Sequence, residues 1–180
     1  AITGDFSPGA YNLALRGRET GFDGLRTILA SQFWPPLRNV EAVGAVDLDA
    51  TTSARGDELR VSAELNATAA MLSYADTWIK PLGETFRVRS ILASSPSGIK
   101  IERLDFKQGT SSLHCEGHIG IGRPAALTGS VLADIDVPVF LKRAHGLERM
   151  KVDGRRASDA LAMIADNNDR ATLTWDLSGS

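Results

Sequence analysis

Cysteine and aromatic side chains are scarce in this sequence, and a strong excess of either charge is missing. The single cysteine, Cys115, rules out an internal disulfide and a multi-cysteine zinc site, so its simplest role is to fill core volume as a small apolar residue. A net charge of −2, from 20 basic and 22 acidic residues, removes the basic footprint of a general nucleic-acid binder. No run approaches the ~20 apolar residues of a membrane-spanning helix, and no basic-then-apolar leader opens the chain. A phosphate loop is missing as well, because Gly120-Ile121-Gly122 lacks the following helix and lysine that such a loop requires. What remains is an ordinary folding composition, 43% hydrophobic and 23% charged, which excludes a disordered chain.

The stretch SSLHCEGHIGIG, residues 111 to 122, sets two histidines, a cysteine and a glutamate close together and raises the question of a metal site. On a helix His114 and His118 would share a face, one turn apart, as in zinc-binding helices. Gly117, Gly120 and Gly122 oppose a helix, each costing about 1 kcal/mol relative to alanine. As a strand, Leu113, Cys115, Gly117 and Ile119 point one way while Ser112, His114, Glu116 and His118 point the other. The histidines are then roughly 13 Å apart at about 3.3 Å per residue, with Cys115 on the opposite face. The expectation is solvent-facing strand histidines, a buried thiol, and neither metal nor other cofactor.

Period-two alternation recurs along the chain. Val46, Leu48, Ala50 and Thr52 alternate with Asp47, Asp49, Thr51 and Ser53; Leu59, Val61, Ala63 and Leu65 alternate with Arg60, Ser62, Glu64 and Asn66. Ala54-Arg55-Gly56-Asp57 supplies the hairpin turn between them. Phe86, Val88 and Leu92 oppose Arg87 and Arg89. Ile99 and Ile101 precede Leu104 and Phe106, a change of parity that predicts a β-bulge near Glu102 and Arg103. Leu127, Gly129, Val131, Ala133 and Ile135 mark another strand, and Leu173, Trp175 and Leu177 a last one. Hairpin-connected strands with one wet face predict a mainly β, antiparallel sheet, with Ala10 to Arg18 and Leu173 to Leu177 at its edges.

Three short amphipathic helices are expected to interrupt the strands: Gly24 to Trp34, stopped by Pro35-Pro36; Val137 to His145, with Pro138 in its first turn; and Asp159 to Asp166, capped by Ser158 with Leu161 and Ile164 inward. Helices of about ten residues are marginal without packing, so they read as lids or plugs on the sheet. The order strand, helix, strand near the start is echoed near the end, a repeat in pattern with a period above about one hundred residues. The whole reads as one β-rich domain, or a segment of a larger protein, over residues 1–180.

Catalytic constellations are absent. Asp47 with Asp49 and Asp134 with Asp136 stand at i and i+2 on a wet strand face, roughly 7 Å apart at Cα with no base or nucleophile nearby, and read as solvated surface rather than as an enzyme's acid pair. The Asn66-Ala67-Thr68 sequon falls at a strand end and carries little weight. Trp34, Trp78 and Trp175 show no carbohydrate-platform spacing, and Trp78 before Pro81 reads as a turn anchor or groove rim.

Taken together, PLRNVEAVGAVDLDATTSARGDELRVSAELNATAAMLSY, WIKPLGETFRVRS, IKIERLDFKQGTSSLHCEGHIG and LTGSVLADIDVPVFLKR resemble the AsmA-like family, that of the TamB/YhdP-type envelope proteins. The likeness is carried by a glycine-containing strand, a variable strand and a small-residue segment. Lys80-Pro81-Leu82-Gly83 then precedes a strand, and a strand pair ends in a glycine-rich turn. It covers about residues 36 to 145, ending at Ala133-Asp134-Ile135-Asp136-Val137-Pro138-Val139-Phe140-Leu141, where the family has an acidic strand end and a short helix. The family's amino-terminal membrane helix is not in this sequence.

The resemblance implies a long curved antiparallel sheet, open as a trough or groove, in a bacterial envelope protein anchored in the inner membrane and extending into the periplasm. Its apolar surface would carry phospholipid acyl chains toward the outer membrane, without covalent chemistry. The lining residues would be Leu48, Val61, Leu65, Val88, Leu113, Ile119, Val131 and Ile135. Expected partners are acyl chains, neighbouring β-segments of the parent chain and an outer-membrane partner, with no nucleic acid. The rival for each lining residue is an ordinary closed core between sheet and helices. The rival function is a non-catalytic interaction scaffold supporting outer-membrane protein assembly through strand addition at the sheet edges.

Overall fold

The computed structural model describes residues 1–7, 9–21, 38–74, 78–121, 126–143, 151–152, 155–165 and 169–179. The alternation gives strands nearly everywhere it was read. They are β1 (Ile2–Ser7), β2 (Ala10–Gly21), β3 (Val40–Arg55), β4 (Glu58–Asn66), β5 (Ala70–Tyr74), β6 (Trp78–Lys80) and β7 (Phe86–Ser95). β8 (Gly98–Gln108), β9 (Ser111–Gly120) and β10 (Leu127–Asp136) follow, then helix α1 (Val137–Arg143), the two-residue strands β11 (Lys151–Val152) and β12 (Arg155–Arg156), helix α2 (Ala157–Ile164) and β13 (Arg170–Gly179).

Eleven strands form one open antiparallel sheet in the order β1-β2-β3-β4-β7-β8-β9-β10-β13, with β5 and β6 branching from β3. Tight turns join β1 to β2, β3 to β4, β7 to β8 and β8 to β9. β3 and β4 meet through Gly56 and Asp57, with Gly56 at φ +58°, the first position of a two-residue hairpin and a left-handed conformation that glycine adopts readily. The parity change in β8 is a real bulge: Ile101 faces Gly117 and Leu104 faces Cys115, so Glu102 and Arg103 oppose Glu116 alone.

The expected edge at Ala10 to Arg18 is corrected. β2 is an interior strand, because β1 pairs along its outer side from Ile2 opposite Leu15 to Ser7 opposite Ala10. β1 carries Gly4 and Asp5, residues that depress strand propensity and hid it in the sequence. Among the described residues β13 is the other edge.

β3 is long because it serves two sets of partners. Residues 40–44 pair with β5, while the remainder pairs with β2 and β4. The change falls at Gly44, φ +117°, where a Cβ would stand 2.4 Å from the Ala69 carbonyl oxygen. Only glycine lets the β5–β6 hairpin come this close. The hairpin thereby lies against one end of the apolar face and builds the buried core there: Val46, Ala67, Ala70, Leu72 and Phe86, flanked by Trp78 and Phe106. Phe106 meets Phe86 edge-on with ring centroids 5.2 Å apart, and Trp78 Nε1 donates to Gln108 Oε1 at 3.2 Å.

Lys80 closes this core from within. Its side chain is fully buried, and Nζ donates to the carbonyl oxygens of Ala67 (2.7 Å), Thr68 (3.0 Å) and Ala70. Three acceptors match the three protons of an ammonium group, the pairing a buried charge requires. Burial pulls its pKa below the usual lysine value, and the nearby Glu84 carboxylate opposes that shift. The same turn explains the sequon: Asn66 Oδ1 accepts from Thr68 N (3.2 Å) and Thr68 Oγ1 (2.7 Å), fastening the strand end.

Two helices lie among the described residues. α1 starts as expected and is described to Arg143; the expected residues 144 and 145 lie outside the described set. α2 begins two residues earlier than the Ser158 cap predicts. Arg156, extended at φ −65° and ψ 140°, occupies the N-cap without a side-chain hydrogen bond, so Ser158 falls inside the first turn. The helix read at 24–34, and with it the internal echo, lies outside the described residues, as do the side chains of Leu161 and Ile164. Among the described residues no helix is long and apolar enough to cross a membrane.

Candidate functional site

All eight residues expected to line a groove stand on one side of the sheet. Leu48, Leu65 and Val88 are directly opposite one another across β3, β4 and β7, and their row continues through Phe106 to Leu113 and Ala133. Val131 faces Cys115 in the next row, and Val61 faces Thr52 and Leu92 in the one after. Ile119 faces Ile99 and Leu127 in the last, while Ile135, opposite Ala171, lies beyond Ala133 at the other end. Strand alternation sends Asp49, Glu64, Arg89, Asp105 and His114, which also form a continuous row, to the opposite side.

Burial separates this face from a closed core. Val46, under the β5–β6 hairpin, is 1% exposed, whereas seven of the eight are half-buried and Ile119 is 39% exposed. Leu13, Ile99 and Leu127 on the same face are exposed to a similar degree, and Trp175 to 46%. Leu65 and Val88 pack against the β5–β6 core and Leu113 and Ile135 lie under α1, while Leu48, Val61, Ile119 and Val131 belong to neither of these covered parts. Cys115 is corrected as well: expected as a buried thiol, it is half-buried, like Leu104 and Val131 opposite it.

The face is pinched at Gly117 and Gly129, which stand opposite each other. A Cβ on Gly129 would lie 2.4 Å from the Glu116 carbonyl oxygen and 2.8 Å from Gly117 Cα. The two backbones therefore come together on the apolar side more closely than any side chain permits.

Under α1 the face deepens into a half-open cavity of about 190 Å³ between the helix and strands β8 to β13. Phe106, Leu113, Ala133 and Ile135 form its floor, Val139 and Phe140 of α1 its roof, and Trp175 stands at its mouth. At its far rim Arg143 on α1 meets Glu84, Nη2 to Oε2 at 3.3 Å, tying the helix to the turn after β6. Asp136 caps α1 at its other end: Oδ1 accepts from Val139 N (3.2 Å) and Oδ2 from Thr110 Oγ1 (2.7 Å). The Thr110 hydrogen bond leads in holding the Asp136 carboxyl below the usual aspartate range; burial opposes it, and the Val139 amide and Arg170 reinforce it.

A depressed carboxylate contributes stability that is complete above its unfolded value and lost as pH falls through the folded one. The Val139 amide resonance is therefore expected to titrate with a midpoint below the unperturbed ~3.9 of aspartate. Asp136→Ala should cost about 1 kcal/mol, and Asp136→Asn much less, because asparagine also caps. An amide shift at Val139 that is insensitive to acid would refute the cap.

The opposite face is wet and self-paired. Arg18 meets Asp49 at 2.5 Å, Arg60 meets Glu102 at 2.6 Å, and Arg170 meets Asp134 at 2.6 Å. His114 Nδ1 lies 2.7 Å from Asp105, which also accepts from Arg103. Burial by itself raises the Asp105 pKa, but the hydrogen bonds from His114 and Arg103 outweigh it and leave the carboxyl below its ordinary value. The two aspartate pairs thus separate into surface ion-pair partners and a helix cap, with no acid–base geometry between them. Among the described residues no three histidine, cysteine or acidic side chains converge as a metal-ligand set.

Sequence reasoning missed Lys80 and the cavity under α1. Trp175 and Ala133 were visible as inward positions, but the roof supplied by Val139 and Phe140 depends on how α1 folds back, which strand periodicity does not record. Compared with family models, curated proteins and solved structures, the chain matches none of them.

Proposed function

We propose that the apolar face binds phospholipid acyl chains, and that the chain serves as a segment of a bacterial envelope protein passing lipid between inner and outer membranes. In this reading the parent is anchored in the inner membrane, the segment works in the periplasm, and the lining is Leu48, Val61, Leu65, Val88, Leu113, Ile119, Val131 and Ile135. The observation that carries the proposal is an apolar row on one side of the sheet that runs out from the β5–β6 core, with Leu48, Val61 and Val131 only half-buried and Ile119, Ile99 and Leu127 exposed. Covering such a surface with hydrocarbon is favourable by about 25 cal/mol per Å² removed from water. The AsmA-like resemblance points the same way.

Lipid extraction or native mass spectrometry of the purified protein is expected to recover phospholipid. Val131→Asp and Val61→Asp place a charge on the lining and should cut that recovery by about tenfold or more, with the β-type circular dichroism retained. Loss of the fold in both variants would instead identify an ordinary core.

A second reading, an interaction scaffold for outer-membrane protein assembly, is favoured by one feature. Among the described residues neither β1 nor β13 has a strand on its outer side, so both edges present backbone groups to a further β-segment. Protein free of phospholipid that binds such a segment would decide for it.

A further inference from the structure

The cavity beneath α1 differs from the rest of the apolar face in being walled on both sides. Its floor is the sheet at Phe106, Leu113, Ala133 and Ile135, its roof is Val139 and Phe140, and Trp175 marks the opening toward the open face. Ala133 is only 3% exposed, so the floor there is backbone and a single methyl group, and a larger residue would take up the space. Apolar cavities of ~150 Å³ stay dry and take benzene-sized guests, so about 190 Å³ has room for roughly six carbons of chain.

Most of the polar groups around the cavity have protein partners; the exceptions, Glu84 Oε2 and Arg143 Nε, are buried without a hydrogen bond, although the two side chains form an ion pair. Gln108 Oε1 accepts from Trp78, Ser111 Oγ accepts from the Asp136 amide, and Glu84 and Arg143 answer each other's charge. The backbone beneath is engaged as well, since β8, β9, β10 and β13 are paired in unbroken neighbouring ladders there. A peptide entering would bring amides that find no partners at the floor, at a cost of about 1–3 kcal/mol for each one left unpaired. A hydrocarbon chain brings none.

We propose that this cavity seats the methyl end of one lipid hydrocarbon chain, so that the face is blind at α1 and the bound lipid's head group lies toward the open end. The inference rests on the apolar face being a lipid surface and adds the orientation and the length-selecting element. Phe106 on the cavity floor packs against the β5–β6 core, so on that side the cavity is a terminus for a chain lying along the rows.

The test is displacement of cis-parinaric acid from the full chain by decanoic, tetradecanoic and octadecanoic acids and by their methyl esters. The expected result is affinity that rises with chain length in the wild type. In Ala133→Phe that gain is lost, with octadecanoic acid weakened about tenfold and decanoic acid unchanged. Val139→Trp fills the same space from the roof and should give the same length-dependent loss, which keeps the test valid if the floor variant fails to fold. Esters binding like the acids would support methyl-end entry. Acids far tighter than esters, with the preference abolished in Arg143→Met, would mean that the carboxylate enters first and overturn the orientation. Equal weakening at every length, or no weakening, overturns the subsite while leaving the lipid surface intact. Failure of wild type to bind any of these probes would sink the lipid reading itself.

Discussion

Lys80→Met is expected to lose about 4 kcal/mol of folding stability, seen as a large fall in the urea midpoint. Methionine keeps nearly the length and the apolar stem of lysine, so packing changes little. What disappears is the set of three N–H donors, leaving the carbonyl oxygens of Ala67, Thr68 and Ala70 without that partner. Ala67 and Ala70 are completely buried, so water cannot take the ammonium's place at small cost. The Ala67 and Thr68 oxygens keep the Ala70 amide (3.1 Å) and the Gly83 amide (3.0 Å), so what is lost is a set of charge-assisted hydrogen bonds worth about 1.5–3 kcal/mol each, partly offset because methionine has no charge to desolvate. Lys107→Met, at an exposed position of β8, is the control and should move stability by no more than about 0.5 kcal/mol. Similar midpoints for the two variants would show that the Lys80 cradle contributes nothing.

Gly44→Ala should cost about 3 kcal/mol, from two sources that can be separated. A φ of +117° is unfavourable for any residue with a Cβ, and that Cβ would sit 2.4 Å from the Ala69 carbonyl oxygen and 2.9 Å from Ala70 Cα. The Ala69 oxygen already accepts from the Ala45 amide at 3.3 Å, so it cannot move away without breaking the join between β3 and the β5–β6 hairpin. Gly56→Ala isolates the conformational part: φ is +58° there, but nothing lies within 4 Å of the new atom, and the expected loss is about 1 kcal/mol. Thermal or urea unfolding of the pair measures the contact as their difference. No difference would mean that the hairpin is not seated against Gly44.

Most of the sheet was legible because each strand buries one side only. Where a single face is greasy the alternation is unambiguous, and even the bulge at Glu102 and Arg103 showed itself as a slip between Ile101 and Leu104. The missed features are those in which local chemistry is overruled by distant partners. Nothing in the local sequence marks Lys80 for burial; the three carbonyls that close around it come from residues 67–70. Ser158 reads as a helix cap, but the extended Arg156 before it starts the helix sooner. β1 reads as a loop because Gly4 and Asp5 are poor strand formers, and the ladder to β2 supplies what propensity does not. For the candidate site, alternation placed all eight lining residues on one face. The extent of their exposure was not legible, since it depends on what fails to pack over them.

The order of strands in the sheet has a kinetic consequence. From β1 to β13 each new strand joins beside one already made, with β5 and β6 inserted as a local hairpin, so pairings are made largely between sequence neighbours. Such low contact order favours rapid assembly for an all-β chain. The sheet can therefore grow by zippering in chain order, each strand adding to the unpaired margin left by the one before it.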